Sequence, residues 1–318
     1  MAPRLCGGLR LSGSEVNRTG RYAPSPTGTL HLGNLRTALL AWLYARAQGA
    51  PFVLRVEDLD AGRVRPHFEA QQLADLRALG LDWDGEVVRQ SERLERYAAA
   101  LAQLEASGAI YPCWCTRAEI REAASAPHGP LPEGHYPGTC RELTAAQRAE
   151  REASGRPPAL RVDAGAARVA FTDRLHGLQE GVVDDFVVRR NDGAFAYNLA
   201  VVLDDGAQGI GEVVRGDDLL DSTPRQLWLA ARLDLPEPSF AHVPLVLGGD
   251  GARLAKRHGA VTLADRLELG ESVDAIRARL AASVGLCDPA ERPSAAELVA
   301  RFEPAAFAPP PSGPLPEG

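Results

Sequence analysis

RYAPSPTGTLHLGNLRTALLAWLYARAQGAPFVLRVEDLD, residues 21–60, holds three successive structural instructions. Ala23-Pro24-Ser25-Pro26-Thr27-Gly28 cannot be helical, because each proline fixes its own φ and pushes its predecessor extended. Leu32 to Gln48 then reads as a helix with Leu35, Leu39, Trp42, Leu43 and Ala47 on one face, closed by Gly49. Phe52-Val53-Leu54-Arg55-Val56 is a short apolar strand that ends in Glu57-Asp58. A glycine-containing turn leading into a helix N-terminus presents unpaired N–H groups and partial positive charge, which suits phosphate. His31 can add a hydrogen bond there, and Gly33 lets a planar ligand approach the backbone.

Outward from this stretch, helices are expected at about 66–80, 92–107 and 144–153, and strands at Phe186–Arg190, Tyr197–Leu203 and Gln208–Val214. Thr223-Pro224 reads as an N-cap followed by proline at the first helical position. Gly248-Gly249-Asp250-Gly251 precedes a basic stretch, Arg253-Leu254-Ala255-Lys256-Arg257-His258, and helices rich in Ala, Leu and Arg follow. Strands alternating with helices predict an α/β fold with a largely parallel sheet, whose ligands sit at the carboxyl ends of the strands. Glu57, Tyr197 and Arg215 fall at or near such ends.

The expected divisions are a loose leader (1–18), a first catalytic half (19–108), an insertion (109–185), a second half (186–240), a basic loop with a helical region (241–308) and a disordered Pro/Gly-rich tail (309–318). With 45% hydrophobic and 24% charged residues, the 318-residue chain can bury a substantial core. A net charge of −7 and a pI near 5.6 do not announce a nucleic-acid binder, although a local basic groove would serve one. No apolar run is long enough for a bilayer and Met1–Gly20 lacks an apolar signal core, so a cytoplasmic protein without membrane contact is expected. Nothing in the residues fixes an oligomeric state, and a monomer is the default expectation.

Five cysteines do not make a disulfide framework. Cys6 and Cys287 read as spectators, while Cys113-Trp114-Cys115 and Tyr136-Pro137-Gly138-Thr139-Cys140 supply three thiolates for a tetrahedral metal site. His128, His135 and Tyr136 compete for the fourth position.

Each segment alone reads as a capped helix, a solvated basic loop or a surface turn. Their combination and order are specific. The stretch 21–60, Arg89-Gln90-Ser91-Glu92-Arg93, GAFAYNLAVVLDDGAQGIGEVVRGDDLLDSTPRQ (193–226) and LAKRHGAV (254–261) resemble the signatures of glutamyl-tRNA synthetases from about residue 20 to about 265. His31-Leu32-Gly33-Asn34 is similar to that family's HIGH motif and Leu254–Arg257 to its KMSKS loop, with Ala255 in place of the serine.

The resemblance implies a Rossmann-like class I catalytic core that activates glutamate with ATP. It implies that Arg21, Tyr22, Ala23, Pro24 and Ser25 line the glutamate pocket, that Glu57 takes the amino group, and that Tyr197 and Arg215 bind the glutamate, with Arg215 reading its side-chain carboxylate. His31, Gly33, Asn34 and Lys256 would bind ATP, with His31 and Lys256 catalytic, and Mg²⁺ would accompany the triphosphate. Asp217 is expected to orient Arg215. The short branch of the family, the glutamyl-Q tRNA(Asp) synthetases, carries a C-x-C…Y-x₃-C pattern that Cys113, Cys115, Tyr136 and Cys140 match, which implies a structural Zn²⁺ with Tyr136 as fourth ligand. Some sixty residues after Lys256 leave no room for an anticodon-binding domain. The expected acceptor is therefore the queuosine base of tRNA(Asp); the alternatives are a truncated enzyme charging tRNA(Glu), an enzyme that passes activated glutamate to a small molecule, and a silent RNA-binding paralogue.

Overall fold

The computed structural model describes residues 17–116, 118–120, 135–254, 256–259 and 261–316, the side chain of Lys256 excepted. Cys6, most of the expected leader, His128 and Ala255 lie outside these residues. Strand β1 (Gly20–Tyr22) leads through the proline turn into helix α1 (Leu32–Arg46), and β2 (Phe52–Val56) follows. Then come α2 (Pro66–Ala78), β3 (Val88–Arg89), α3 (Leu94–Ala106), β4 (Ile110–Cys113), α4 (Ala145–Ala153) and β5 (Ala159–Val162). A hairpin, β6 (Arg168–Asp173) and β7 (Gly177–Val182), precedes β8 (Val187–Arg189), α5 (Tyr197–Ala207), β9 (Glu212–Gly216), α6 (Thr223–Arg232) and β10 (Ser239–Val243). Helices α7 (Leu263–Glu268), α8 (Val273–Ala282) and α9 (Ala295–Arg301) complete the order.

The main sheet runs β3-β2-β1-β9-β10-β6-β7, parallel except for the β6–β7 hairpin. Strand order reverses between β1 and β9, and a crevice opens at the carboxyl ends of the two strands flanking such a reversal. The α/β class and the largely parallel sheet agree with the sequence. Helix α1 is buried on nearly every side rather than on one face: Leu40, Ala41 and Tyr44 are as enclosed as Leu35 and Leu39. The reason is a shared core in which sheet residues such as Phe52 and Leu54 cover one side, and Ile276, Leu280 and Phe302 from the C-terminal region the other.

Four expectations are corrected. The segment from Tyr197 is a helix, not a strand; its short apolar run satisfies either period. The helical turn brings Asp204 and Asp205 inward together, towards Arg93, Arg55 and Arg21. Thr223 is the first helical residue rather than the N-cap, which is Ser222, and its hydroxyl is engaged by Arg215 instead. The insertion does not run unbroken to 185: β6 and β7 extend the main sheet, while β8, assigned by sequence to the second half, closes a separate sheet β4-β5-β8. The tail is held rather than loose. Leu245 N–H donates to Ser312 Oγ at 2.7 Å, Val246 bridges Gly313, and Leu315 packs against the core.

Candidate active site

Two adjoining cavities lie at the carboxyl ends of β1, β2 and β9. One, about 610 Å³, is lined by Arg21 to Ser25, His31, Gly33, Asn34, Glu57, Tyr197, Arg215 and Arg253. The other, about 900 Å³, extends from Ser25, Glu57 and Tyr197 to Cys113, Cys115 and Arg161. The two share Ser25, Glu57 and Tyr197.

The proline turn is held open by outside partners. Glu57 N–H donates to Pro24 O at 3.0 Å, and Nε2 of Gln72, one of the few buried residues of α2, donates to Ser25 O and Gly28 O at 3.1 and 2.7 Å. Tyr22 spends its hydroxyl on Asn34 O. His31 is the N-cap of α1: its Nδ1 accepts from Asn34 N–H at 3.2 Å, and Asn34 Oδ1 accepts from His31 N–H at 3.2 Å. Nδ1 therefore carries the lone pair, and Nε2 carries the proton. Burial, with Arg253 adding to it, lowers the His31 pKa to about 4, so the ring is neutral near pH 7. A Cβ on Gly33 would stand 3.0 Å from the His31 ring and 3.3 Å from Val246, so this glycine makes room for the imidazole itself.

Beneath Glu57 lies a buried charge cluster. Arg55, at 0% exposure, donates to Asp205 Oδ1 at 2.7 Å and to Gln208 at 2.8 Å, and lies 3.4 Å from Glu57 Oε1. Arg21 donates to Asp205 and to Val214 O. Burial alone would push Asp205 up, but Arg55 and Arg21 outweigh it and hold its carboxyl below the ordinary range. Glu57 goes the other way: burial raises it, and the same two arginines only partly offset that. Arg215 is lowered, chiefly by burial. The cavity thus presents a carboxylate short of a cation and a guanidinium short of an anion, which is complementary to a zwitterion with an acidic side chain.

Arg215 donates from Nε to His242 Nε2 at 3.0 Å, from Nη1 to Gln226 Oε1 at 2.7 Å and from Nη2 to Thr223 Oγ1 at 2.8 Å. Asp217 does not orient it, contrary to expectation: Asp217 accepts from Ser312 Oγ. The sequence reading gave no site role to Gln72, Asp205, Thr223, Gln226 or His242, although Asp205, Thr223 and Gln226, like Arg55, stand inside quoted stretches. Tyr197, 41% exposed, opens α5 at the junction of the cavities. Lys256 begins the short 3₁₀ turn Lys256–His258, and its side chain lies outside the described residues.

At the far end of the larger cavity, the sulfurs of Cys113, Cys115 and Cys140 all lie within 4.8 Å of one another. Tyr136 Oη stands 3.4 Å from both Cys113 Sγ and Cys115 Sγ, and Cys115 and Cys140 are 3.4 Å apart. A tetrahedral Zn²⁺ with thiolates at ~2.3 Å and an oxygen at ~2.0 Å has edges of about 3.5–3.8 Å, so these four atoms fit one. Arg161 stacks over Tyr136 and donates to Cys113 Sγ at 3.3 Å. Hydrogen bonds from Cys115 and Cys140, helped by Arg161, hold the Cys113 thiol far below its usual range. His135 is outside this cluster.

The family model for tRNA synthetases class I (E and Q), catalytic domain, matches residues 18–282. The chain belongs to this family. Within it, the chain is 61% identical over 290 residues to a glutamyl-Q tRNA(Asp) synthetase of Nocardia farcinica, covering 91% of each chain. It is 53% identical to one of Symbiobacterium thermophilum, covering 89% of this chain and 92% of that protein. A solved glutamate tRNA ligase of Elizabethkingia meningosepticum, in complex with its amino acid, superposes with a TM-score of 0.79 at 27% identity, over 94% of this chain and 67% of the other. Membership makes the catalytic core that of a class I synthetase. No helix of the described residues is long and apolar enough to cross a membrane.

Proposed function

We propose that the chain activates L-glutamate with ATP and transfers the glutamyl group to the queuosine base in the anticodon loop of tRNA(Asp). The glutamate carboxylate attacks the α-phosphate, giving glutamyl-adenylate and pyrophosphate. A queuosine hydroxyl then attacks the mixed anhydride and AMP leaves. The observation that carries this reading is the pair of cavities meeting at Ser25, Glu57 and Tyr197. The smaller one has the charges for a glutamate zwitterion, and the larger one gives an acceptor base a route to it.

In this reading Arg21, Tyr22, Ala23, Pro24 and Ser25 form the pocket wall, Glu57 takes the ammonium, and Arg215 takes the side-chain carboxylate beside Tyr197. The Nε2–H of His31 donates to a phosphate oxygen, and Gly33 and Asn34 flank it. Lys256 neutralises charge on the departing pyrophosphate, with Mg²⁺ on the triphosphate. Catalysis is positioning and charge stabilisation, with no covalent enzyme intermediate. Cys113, Cys115, Tyr136 and Cys140 would hold a structural Zn²⁺, closed to water, that fixes the wall of the acceptor cavity. The protein acts as a cytoplasmic monomer. The names of its relatives and the fit of the cavity charges support this reading.

The test has two stages. Glutamate-dependent ATP–pyrophosphate exchange should proceed without tRNA and fail with aspartate or glutamine. Labelled glutamate should then pass to queuosine-containing tRNA(Asp) and not to the unmodified tRNA or to tRNA(Glu). Charging of tRNA(Glu) would replace this reading with that of a truncated glutamyl-tRNA synthetase. Cys140→Ser should lower zinc content and transfer while exchange persists; zinc retained at full stoichiometry would remove the metal assignment.

A further inference from the structure

Arg215, His242 and Asp173 lie in line across three neighbouring strands. Arg215 on β9 is in register with His242 on β10, and β10 pairs with the end of β6, where Asp173 stands. All three are buried, His242 completely. His242 Nδ1 is 2.7 Å from Asp173 Oδ2, and His242 Nε2 accepts from Arg215 Nε at 3.0 Å. Asp173 cannot turn away, because Oδ1 accepts from the N–H groups of Leu175 and His176 at 2.9 and 3.0 Å and Oδ2 from that of His242 at 3.1 Å.

We infer that Asp173 and His242 are positioning residues for glutamate selection: Asp173 fixes the His242 tautomer, and that tautomer aims Arg215 into the amino-acid cavity. The inference rests on the reading in which Arg215 holds the side-chain carboxylate of the substrate. The chemistry follows from donor and acceptor identity. An arginine Nε–H can only donate, so His242 must offer it a bare nitrogen. The ring proton then sits on Nδ1, facing a carboxylate that accepts it. Burial lowers the His242 pKa, which keeps the second proton off Nε2. With Nε, one N–H of Nη1 and one of Nη2 taken by His242, Gln226 and Thr223, the guanidinium plane is pinned from three directions. The second N–H of Nη2 makes a long bond of 3.5 Å to Leu219 O, the weakest of the four, and one N–H of Nη1 remains. A side-chain carboxylate that draws Nη2 off Leu219 can accept from both terminal nitrogens, whereas a glutamine amide would bring N–H against one of them.

A structural brace would serve the fold alike whatever the substrate, so the tests read selectivity. In Asp173→Asn the carbonyl oxygen must stay with the two N–H groups of Leu175 and His176. Its NH₂ then faces His242 Nδ1, the ring proton moves to Nε2, and Nε2–H meets the Arg215 N–H, a tautomer failure of known severity. In ATP–pyrophosphate exchange with the full chain, the glutamate KM should rise roughly ten- to hundredfold. The KM for ATP should stay within about twofold, and the preference for glutamate over glutamine should shrink. His242→Gln, whose amide offers an acceptor to Arg215 and a donor to Asp173, should keep the glutamate KM near wild type, while His242→Leu loses it. A folded Asp173→Asn enzyme with unchanged glutamate KM, or with both KM values raised in parallel, would overturn the inference. Should Asp173→Asn fail to fold, equal losses in His242→Gln and His242→Leu would overturn it as well. Arg215→Ala with an unaltered glutamate KM would instead remove the underlying reading of Arg215.

Discussion

Arg55 lies beneath the floor of the crevice and Arg253 lines its wall, and the two are held in opposite ways. Arg55 is fully enclosed between Asp205, Gln208 and Glu57. Arg253, 57% exposed, leans on Asp218 at the surface, and its neighbours Arg257 and His258 share the exposed Asp250. The enclosed side is therefore a preorganised electrostatic frame, whose groups would not need to move for the glutamate of the proposed reading. Arg253 and Arg257 are held by solvent-screened pairs that cost little to break, which would suit the proposed closing of the basic loop between Gly248 and Gly259 over a triphosphate. In the proposed reading, selection of the amino acid belongs to the enclosed end and handling of the nucleotide to the basic loop.

The largest expected effect lies in the frame. Asp205→Ala strands two buried guanidinium groups and should lower stability by about 3–5 kcal/mol, read from the denaturant midpoint. A midpoint close to wild type would mean that the frame is looser than its geometry. Next, Lys256→Ala should slow exchange by roughly a hundredfold with the melting temperature unchanged, because the loop contributes charge rather than packing. Near-normal exchange would erase the functional half of the contrast.

A smaller effect concerns His31 and pH. Its folded pKa, about 4, lies below the ordinary 6.5, so the unfolded chain takes up a proton in that interval that the folded chain refuses. The stability from this group is complete above about pH 6.5 and is lost as pH falls towards 4. Urea titrations at several pH values should show that slope, and His31→Asn should flatten it. The smallest effect belongs to the loop tether: Asp218→Ala should change stability by less than about 1 kcal/mol and the change should shrink in salt.

Legibility followed the same divide. His31 and Glu57 were placed from sequence because one turn and one strand end carry them, and the cysteine cluster because its two short runs, Cys113-Trp114-Cys115 and Tyr136 to Cys140, are compositionally distinct. The frame was not, because Arg21 meets Asp205, and Arg215 meets His242, across the sheet from distant segments. The stretch after Tyr197 was misread because Val201 and Val202 favour a strand, while the bonds from Tyr97 and Arg93 that satisfy buried Asp204 come from a distant helix and its N-cap. The tail after Pro309 looked disordered by composition, since the bonds that hold it, through Ser312 and Gly313, run to Asp217, Leu245 and Leu247 far back in the chain and leave no periodicity to read.

His31 opens α1 by accepting from Asn34 N–H. Histidine is not among the side chains that cap helices best; serine, aspartate and asparagine are. A population screened only for heat resistance would therefore be expected to replace it, gaining a firmer helix and losing the imidazole that lines the cavity. Persistence of histidine at this position in a lineage would register selection on turnover rather than on durability, and its loss would be an early mark of a copy released from catalytic duty.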